Sequence, residues 1–394
     1  MLDAKDYVAF RGLQPHFNFM AKAGFFQLSI GNTEHQVYHY RKRQYVTWFI
    51  LIIYNFQHIL QAFLTRHDVE KLIDTMFIQL ANFNSLNKHI IFYLRYRRIQ
   101  RIIDTTKDKL FRPKTLADLE ILNANEESTI KLLFHFLAVV LVFCFSFAVS
   151  PIVTKAIGQE VAILSYFPFD TTELFGFSLA ITELAVTVSM ESYATVIMDS
   201  TVIFCYRQTQ TQLQLLKCHL EILVNVKEES GNLNNKYKDN EKIQKRLENC
   251  VRHYRKILWF AREVEDLFSQ PITLQFLIQS WVICMTVYKL SGMTLGSSEF
   301  ISTLSYLSII LLQIYLYCYF GTQLKVESEF VAQSVYIGRW LETSPRFRRQ
   351  LLILMACVSK PIVPCASKIV PISLKTFIAV LKGSYSLFTI LDQE

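Results

Sequence analysis

Residues 359–391 read SKPIVPCASKIVPISLKTFIAVLKGSYSLFTIL. Pro361, Pro364 and Pro371 interrupt the first half, and the second half is apolar apart from Lys375 and Lys382. Proline lacks a backbone N–H and clashes with the preceding turn, so the first part is expected to break and the second to run on as a helix. An apolar helix after a proline-broken half-helix, with Asp392 and Glu394 just beyond it, has the form of a pore-lining membrane segment.

Upstream the same apolar character recurs. Residues 45–64, 132–154, 271–288 and 300–324 contain no Asp, Glu, Lys or Arg, and each has roughly the 17 to 25 residues that a bilayer crossing needs. Residues 174–206 are interrupted only by Glu183, Glu191 and Asp199, and residues 369–391 only by the two lysines. Residues 72–94 carry Asp74, Asn82, Asn84, Asn87, Lys88 and His89. They are retained as a span because without them the charges on either side demand opposite topologies. The expected fold class is therefore all-α, a polytopic membrane protein with seven transmembrane helices. A content of 52% hydrophobic and 14% aromatic residues, with only 11 Gly, exceeds that of ordinary soluble domains.

Basic residues set the expected topology. Lys and Arg number six before residue 45, nine over 95–131, twelve over 207–262 and six over 325–360, whereas the alternate connections are poor in them. By the positive-inside rule the N-terminus is cytoplasmic and the C-terminus extracellular, the reverse of a G-protein-coupled receptor. The net charge of +8 is spread between apolar segments and does not mark a nucleic-acid surface. The expected organisation is a cytoplasmic region (1–44), helices one to four (45–206), a cytoplasmic anchor segment (207–270), helices five and six (271–324), a second anchor segment (325–360), and the pore-lining helix with an extracellular end (361–394). The start of the chain has no cleavable signal pattern. All eight cysteines fall in spans or cytoplasmic segments, so no extracellular disulfide framework is implied.

Ile243, Leu247, Val251, Tyr254, Ile257, Leu258, Ala261, Val264 and Phe268 recur at helical steps among Lys, Arg and Glu. They predict a long amphipathic helix running into the span at Pro271, with residues 326–341 as its partner below the membrane. Residues 228–240 read as a flexible linker. His35 and His39 stand four apart with no third ligand beside them, and His58 and His135 read as packed residues. Glu183, Glu191 and Asp199 are functional candidates because carboxylates inside a membrane are costly; pairing with neighbouring helices is the alternative. No phosphate loop, nucleophile motif or paired acid and base is present, so neither an enzyme nor a cofactor is expected.

An ordered series then carries a resemblance: Cys318-Tyr319-Phe320-Gly321, Glu327-Ser328, Ser334, Tyr336, Trp340, Arg348-Arg349, Lys360-Pro361, Pro371, Ser373-Leu374, Thr376-Phe377, Val380-Leu381-Lys382, Ser384-Tyr385-Ser386 and Phe388-Thr389. It resembles the insect odorant receptor family, and Phe167-Pro168-Phe169-Asp170 is also family-like. The gustatory branch carries a Gln-Phe in its last helix that is missing here. The resemblance implies an odorant-gated, non-selective cation channel of four subunits, an odorant-specific subunit joined to a shared co-receptor in a heterotetramer, with a volatile ligand and a multi-pass place in the plasma membrane of an olfactory dendrite. It places the ligand among the outer halves of spans two, three, four and six, which here hold Leu80, Phe83, Phe143, Ser146, Phe147, Phe177, Ile181, Ser302 and Tyr306. Lys368, Lys375 and Lys382 are spaced by seven and would form one stripe on a helix, which a cation pathway should avoid. The neighbouring stripe, Thr376, Gly383 and Ile390 with Leu387 beside it, is then the expected pore face, with Ile390 at the constriction the family has near its outer end. A metabotropic receptor and a transporter are the competing readings.

Overall fold

The computed structural model describes residues 11–27, 34–159, 161, 163, 165–224, 233–337 and 344–391. Among the described residues ten helices follow one another: α1 (Gln14–Ala23), α2 (Glu34–Leu64), α3 (Val69–Leu94), α4 (Tyr96–Thr105), α5 (Leu116–Ala156), α6 (Leu174–Val224), α7 (Leu233–Ser291), α8 (Ser298–Ile337), α9 (Pro345–Val358) and α10 (Leu374–Leu391). Between the last two a small antiparallel hairpin pairs β1 (Cys365–Ala366) with β2 (Val370–Pro371). Six of the seven apolar stretches lie wholly within helices, the seventh is helical from Leu374, and α2, α5, α6, α7 and α8 each contain a segment long and apolar enough to cross a membrane. The chain is thus an all-α, polytopic membrane protein.

The weakly apolar second stretch forms α3, and its polar residues explain themselves by direction. Asn82, Asn84, Ser85, Lys88 and His89 are all buried, whereas Met76, Phe83, Ile90 and Tyr93 of the same helix are exposed. In a membrane this inversion follows from the solvent: apolar side chains meet lipid and polar ones turn into the bundle. Helix α6 packs against α5, α7 and α8, and α3 lies on α2 and α7.

The expected division at residues 207, 271 and 325 does not interrupt the backbone. Helix α7 runs for 59 residues with Pro271 inside it, and α6 and α8 likewise continue past the ends of their apolar parts. Backbone hydrogen bonding is indifferent to where lipid ends, so a change in side-chain polarity need not break a helix. Of the expected linker, residues 233–240 are the first turns of α7, and residues 228–232 lie outside the described residues. The apolar face of the amphipathic part is consumed within the chain: Leu247, Tyr254 and Phe268 are buried, Tyr254 Oη donates to Cys357 O at 3.3 Å, and Phe268 packs on Phe92 at 5.7 Å. Thr115 and Asp118 close a capping box at the start of α5. His253 donates to Gln212 Oε1 at 2.8 Å, and Gln212 donates on to Phe111 O at 3.1 Å. Burial pushes the His253 pKa down to about 3, so the ring is neutral.

The hairpin corrects the reading of the last span. Residues 369–373 are not helical, and Lys368, at φ 61°, sits in the hairpin turn and pairs with Asp266 at 2.8 Å. It does not share a helical stripe with Lys375 and Lys382. Glu265 accepts from Cys365 N, and Ser367 Oγ bonds Thr273 Oγ1 at 2.9 Å, so the base of α10 is tied to the middle of α7. Leu374 N donates to Thr322 Oγ1 on α8. At Gly321 the hairpin comes closer still, because a Cβ there would stand 2.2 Å from Ile372 O. Ordinarily Gly→Ala inside a helix gains up to about 1 kcal/mol. Here Gly321→Ala is expected to lose about 1–3 kcal/mol by forcing the hairpin off α8, read as a lower thermal midpoint of the purified chain. A midpoint equal to or above that of the wild type would show that the hairpin does not need this approach.

Candidate ligand cavity

Helical periodicity brings one face of each helix to a common space. On α5, Phe136, Val140, Phe143 and Phe147 follow steps of four, three and four; on α6, Ile181, Leu184, Val188, Glu191 and Thr195 follow steps of three or four. With Tyr306, Ile310 and Gln313 of α8, and contributions from α2, α3 and α7, they enclose a cavity of about 350 Å³. Its upper wall is aromatic. The Phe143 ring lies 5.8 Å from Phe147 and 5.6 Å from Tyr306, and Tyr54 and His58 meet edge to face at 4.8 Å. These spacings suit rings that shape an apolar space without closing it.

The inner end is polar. Gln279 donates to Gln313, and Gln313 donates to Asp199. Asp199 also accepts from Tyr317 Oη at 2.8 Å and from Lys88 Nζ at 2.6 Å. Lys88 and Asp199 are 3% and 1% exposed, so this pair is cut off from water and its charges depend on one another. Four helices, α3, α6, α7 and α8, therefore converge on one hydrogen-bonded floor beneath the apolar space. Glu183 makes a different contact, accepting from Gln57 Nε2 at 3.2 Å, while Glu191 stands in the cavity wall.

Of the nine ligand candidates, Phe143, Phe147, Ile181, Ser302 and Tyr306 line this cavity and four do not. Leu80 is half-buried against the core, and Phe83 is 49% exposed. The Ser146 hydroxyl is turned back on Phe143 O at 2.9 Å, and Lys155 Nζ covers the Phe177 ring at 3.9 Å. Tyr54, Ser85, Gln279 and Gln313 were not singled out from the sequence. Their signal was a polar group recurring on the inward face of an otherwise apolar helix, visible only once the inward face is known.

Among the pore candidates, Thr376 is half-buried and donates to Pro371 O at 2.5 Å at the start of α10, while Gly383 and Leu387 are exposed. The side chain of Ile390, and Asp392 and Glu394, lie outside the described residues, as does Trp340. The face about 100° round from this stripe is packed: Phe377 meets Tyr315 at 5.7 Å, and the Ser384 hydroxyl donates to Ser280 O on α7 at 3.1 Å.

A family model described as 7tm Odorant receptor matches residues 68–385. The chain is similar to odorant receptor 2a of Drosophila melanogaster, 26% identical over 153 residues that make up 38% of each chain. It is likewise similar to odorant receptor 13a of the same organism, 30% identical over 38% of this chain and 39% of that one. The matched stretch thus spans about two fifths of the length of these curated relatives. Among solved structures, the insect olfactory receptor OR5 from Machilis hrabei in complex with eugenol superposes with a TM-score of 0.83, covering 98% of both chains at 13% identity. A second structure of the same receptor gives 0.76 over 96% of both chains, also at 13% identity. At this identity the likeness is one of fold.

Proposed function

The chain belongs to the 7tm odorant receptor family, and from that premise we propose that it is the odorant-binding subunit of an odorant-gated, non-selective cation channel. It assembles with a shared co-receptor as a heterotetramer in the plasma membrane, with its N-terminus cytoplasmic and its C-terminus extracellular. The alternating Lys and Arg content supports that orientation. The observation that carries the ligand reading is the 350 Å³ cavity, which has an aromatic wall and a hydrogen-bonded floor and lies within the span helices. That volume is at the small end of ligand sites, suited to a volatile molecule. The eugenol complex of the Machilis hrabei receptor supports a small organic ligand.

Most of the affinity then comes from removing apolar surface from water, at about 25 cal/mol per Å². Phe143, Phe147, Ile181 and Tyr306 supply that surface, and Ser302 is a polar contact on the wall. The Thr376, Gly383 and Ile390 stripe of α10, flanked by Leu387, lines the conduction path, and the exposed end of the helix meets its counterparts in the other subunits.

The test is co-expression with a co-receptor and measurement of volatile-evoked cation current across an odour panel. Tyr306→Ala and Phe147→Ala are each expected to shift half-maximal concentrations by about tenfold and to reorder the panel. Phe83→Ala, on the exposed side of α3, is expected to leave the order intact. An unchanged order in both cavity variants, or no volatile-evoked current from the wild type, contradicts the reading.

A further inference from the structure

The polar atoms of the cavity are unequally served. Glu191 Oε1, Asn84 Oδ1 and Gln279 Oε1 all belong to residues that line it, and each is buried without a hydrogen-bond donor among the described residues. The Ser165 hydroxyl is also without a partner and can act either way. The donor nitrogen of Asn82 lies on the same wall, beside the Tyr54 hydroxyl. Acceptors are therefore in excess. Glu191 is the least ambiguous of them, since the oxygen and nitrogen of an amide can exchange places whereas both carboxyl atoms are oxygens, and its residue is 5% exposed.

Among the described residues no cation compensates it. Lys88, the buried ammonium nearest in sequence to Asn84 and Ser85, is committed to Asp199, and no ion pair to Glu191 forms among the described residues. Ser85 stands beside the carboxyl but also bonds Thr195 Oγ1 at 2.9 Å. An acceptor held dry and unpaired is costly, and a molecule that brings a donor to it recovers that cost on binding. A molecule of the same shape without a donor leaves it unpaid.

We propose that the cavity selects ligands bearing a hydrogen-bond donor, a hydroxyl or amine, on an apolar body, and that Glu191 is the acceptor that reads it. This rests on the reading that the cavity holds the odorant. The apolar body lies against Phe143, Phe147 and Tyr306, and the head group turns inward to Glu191, with Asn84 and Gln279 as further acceptors on the same wall. Donor-free esters and ethers of the same carbon skeleton fill the space but leave Oε1 unmatched.

The experiment uses the purified full-length receptor with its co-receptor and two matched pairs, 1-octanol against octyl methyl ether and 2-phenylethanol against its methyl ether. Affinity is read from ligand-induced thermal shifts and, separately, from evoked current. Wild type is expected to bind each alcohol about tenfold more tightly than its ether. Glu191→Met, which keeps length and removes the acceptor, is expected to abolish that preference; Glu191→Gln, which keeps one acceptor oxygen, retains most of it. Equal binding of alcohol and ether by the wild type, absence of binding included, overturns the proposal. So does an unchanged preference in Glu191→Met. Donor-selective binding without evoked current instead overturns the channel reading and leaves this selectivity standing.

Discussion

Asp199→Leu is expected to cost about 3–5 kcal/mol of stability and to leave little intact receptor, because it strands the Lys88 ammonium inside the helix bundle. The wild-type pair is held at 2.6 Å with both residues buried, so no water is at hand to replace the lost carboxylate. The same substitution removes the acceptor for Tyr317 Oη and for Gln313, and so loosens the contact of α6 with α8 as well as that with α3. Lys88→Met is milder, since Asp199 keeps those two donors. The double variant Lys88→Met/Asp199→Leu should recover most of the loss, since a buried ion pair replaced by apolar groups of similar size is often neutral. Thermal midpoints of the detergent-purified chain should therefore fall in the order wild type, double variant, Lys88→Met, Asp199→Leu, with the first two close together. An Asp199→Leu chain that melts like the wild type would mean that the pair is not formed in the membrane.

That pair shows where reading the sequence stops. Lys88 and Asp199 were each visible as an ionisable residue in an apolar stretch, and each is expensive there. Their partnership crosses 111 residues of chain, and no periodicity within one helix carries information about which other helix it will face. The same limit applies to the cavity. Phe143 and Phe147 could be named because the family resemblance places the ligand in the outer half of span three, but Phe83 and Ser146, named on the same ground, sit one residue from inward positions and are turned away. A helix turns about 100° per residue, so an error of a single position moves a side chain from wall to lipid. The long helices were legible in the apolar runs, since spanning a bilayer requires satisfied backbone over a fixed length. The hairpin at residues 365–371 was not. The prolines marked a break but not its shape, which depends on Ser367 and Lys368 adopting positive φ and on contacts with Glu265 and Asp266 of α7.

Gly383→Phe should leave the chain folded and joined to its co-receptor but cut its cation conductance by about tenfold or more. In the single chain a Cβ at Gly383 meets nothing within 4 Å, so an added side chain displaces no atom of this subunit. Replacing glycine inside a helix also removes a penalty of roughly 0.5–1 kcal/mol, so α10 itself should gain. Any loss of current must therefore come from what the bulk meets in the assembly. The packed face of α10 is occupied by Phe377 and Ser384, which leaves the arc containing Lys375, Lys382, Gly383 and Leu387 for lipid, neighbouring subunits and the pore. Lys375 and Lys382 lie on one stripe and Gly383 about 100° round from it. An ammonium on the conduction axis would repel the permeant cation, so Gly383 is the side to which the pore should turn. Lys382→Gln provides the comparison and should change conductance by less than about twofold, since a charge off the axis is screened by water and salt. Single-channel recording of the two variants, with co-purification as the control for assembly, decides between the faces. Normal conductance in Gly383→Phe together with a large rise in Lys382→Gln would put the lysine stripe on the pore.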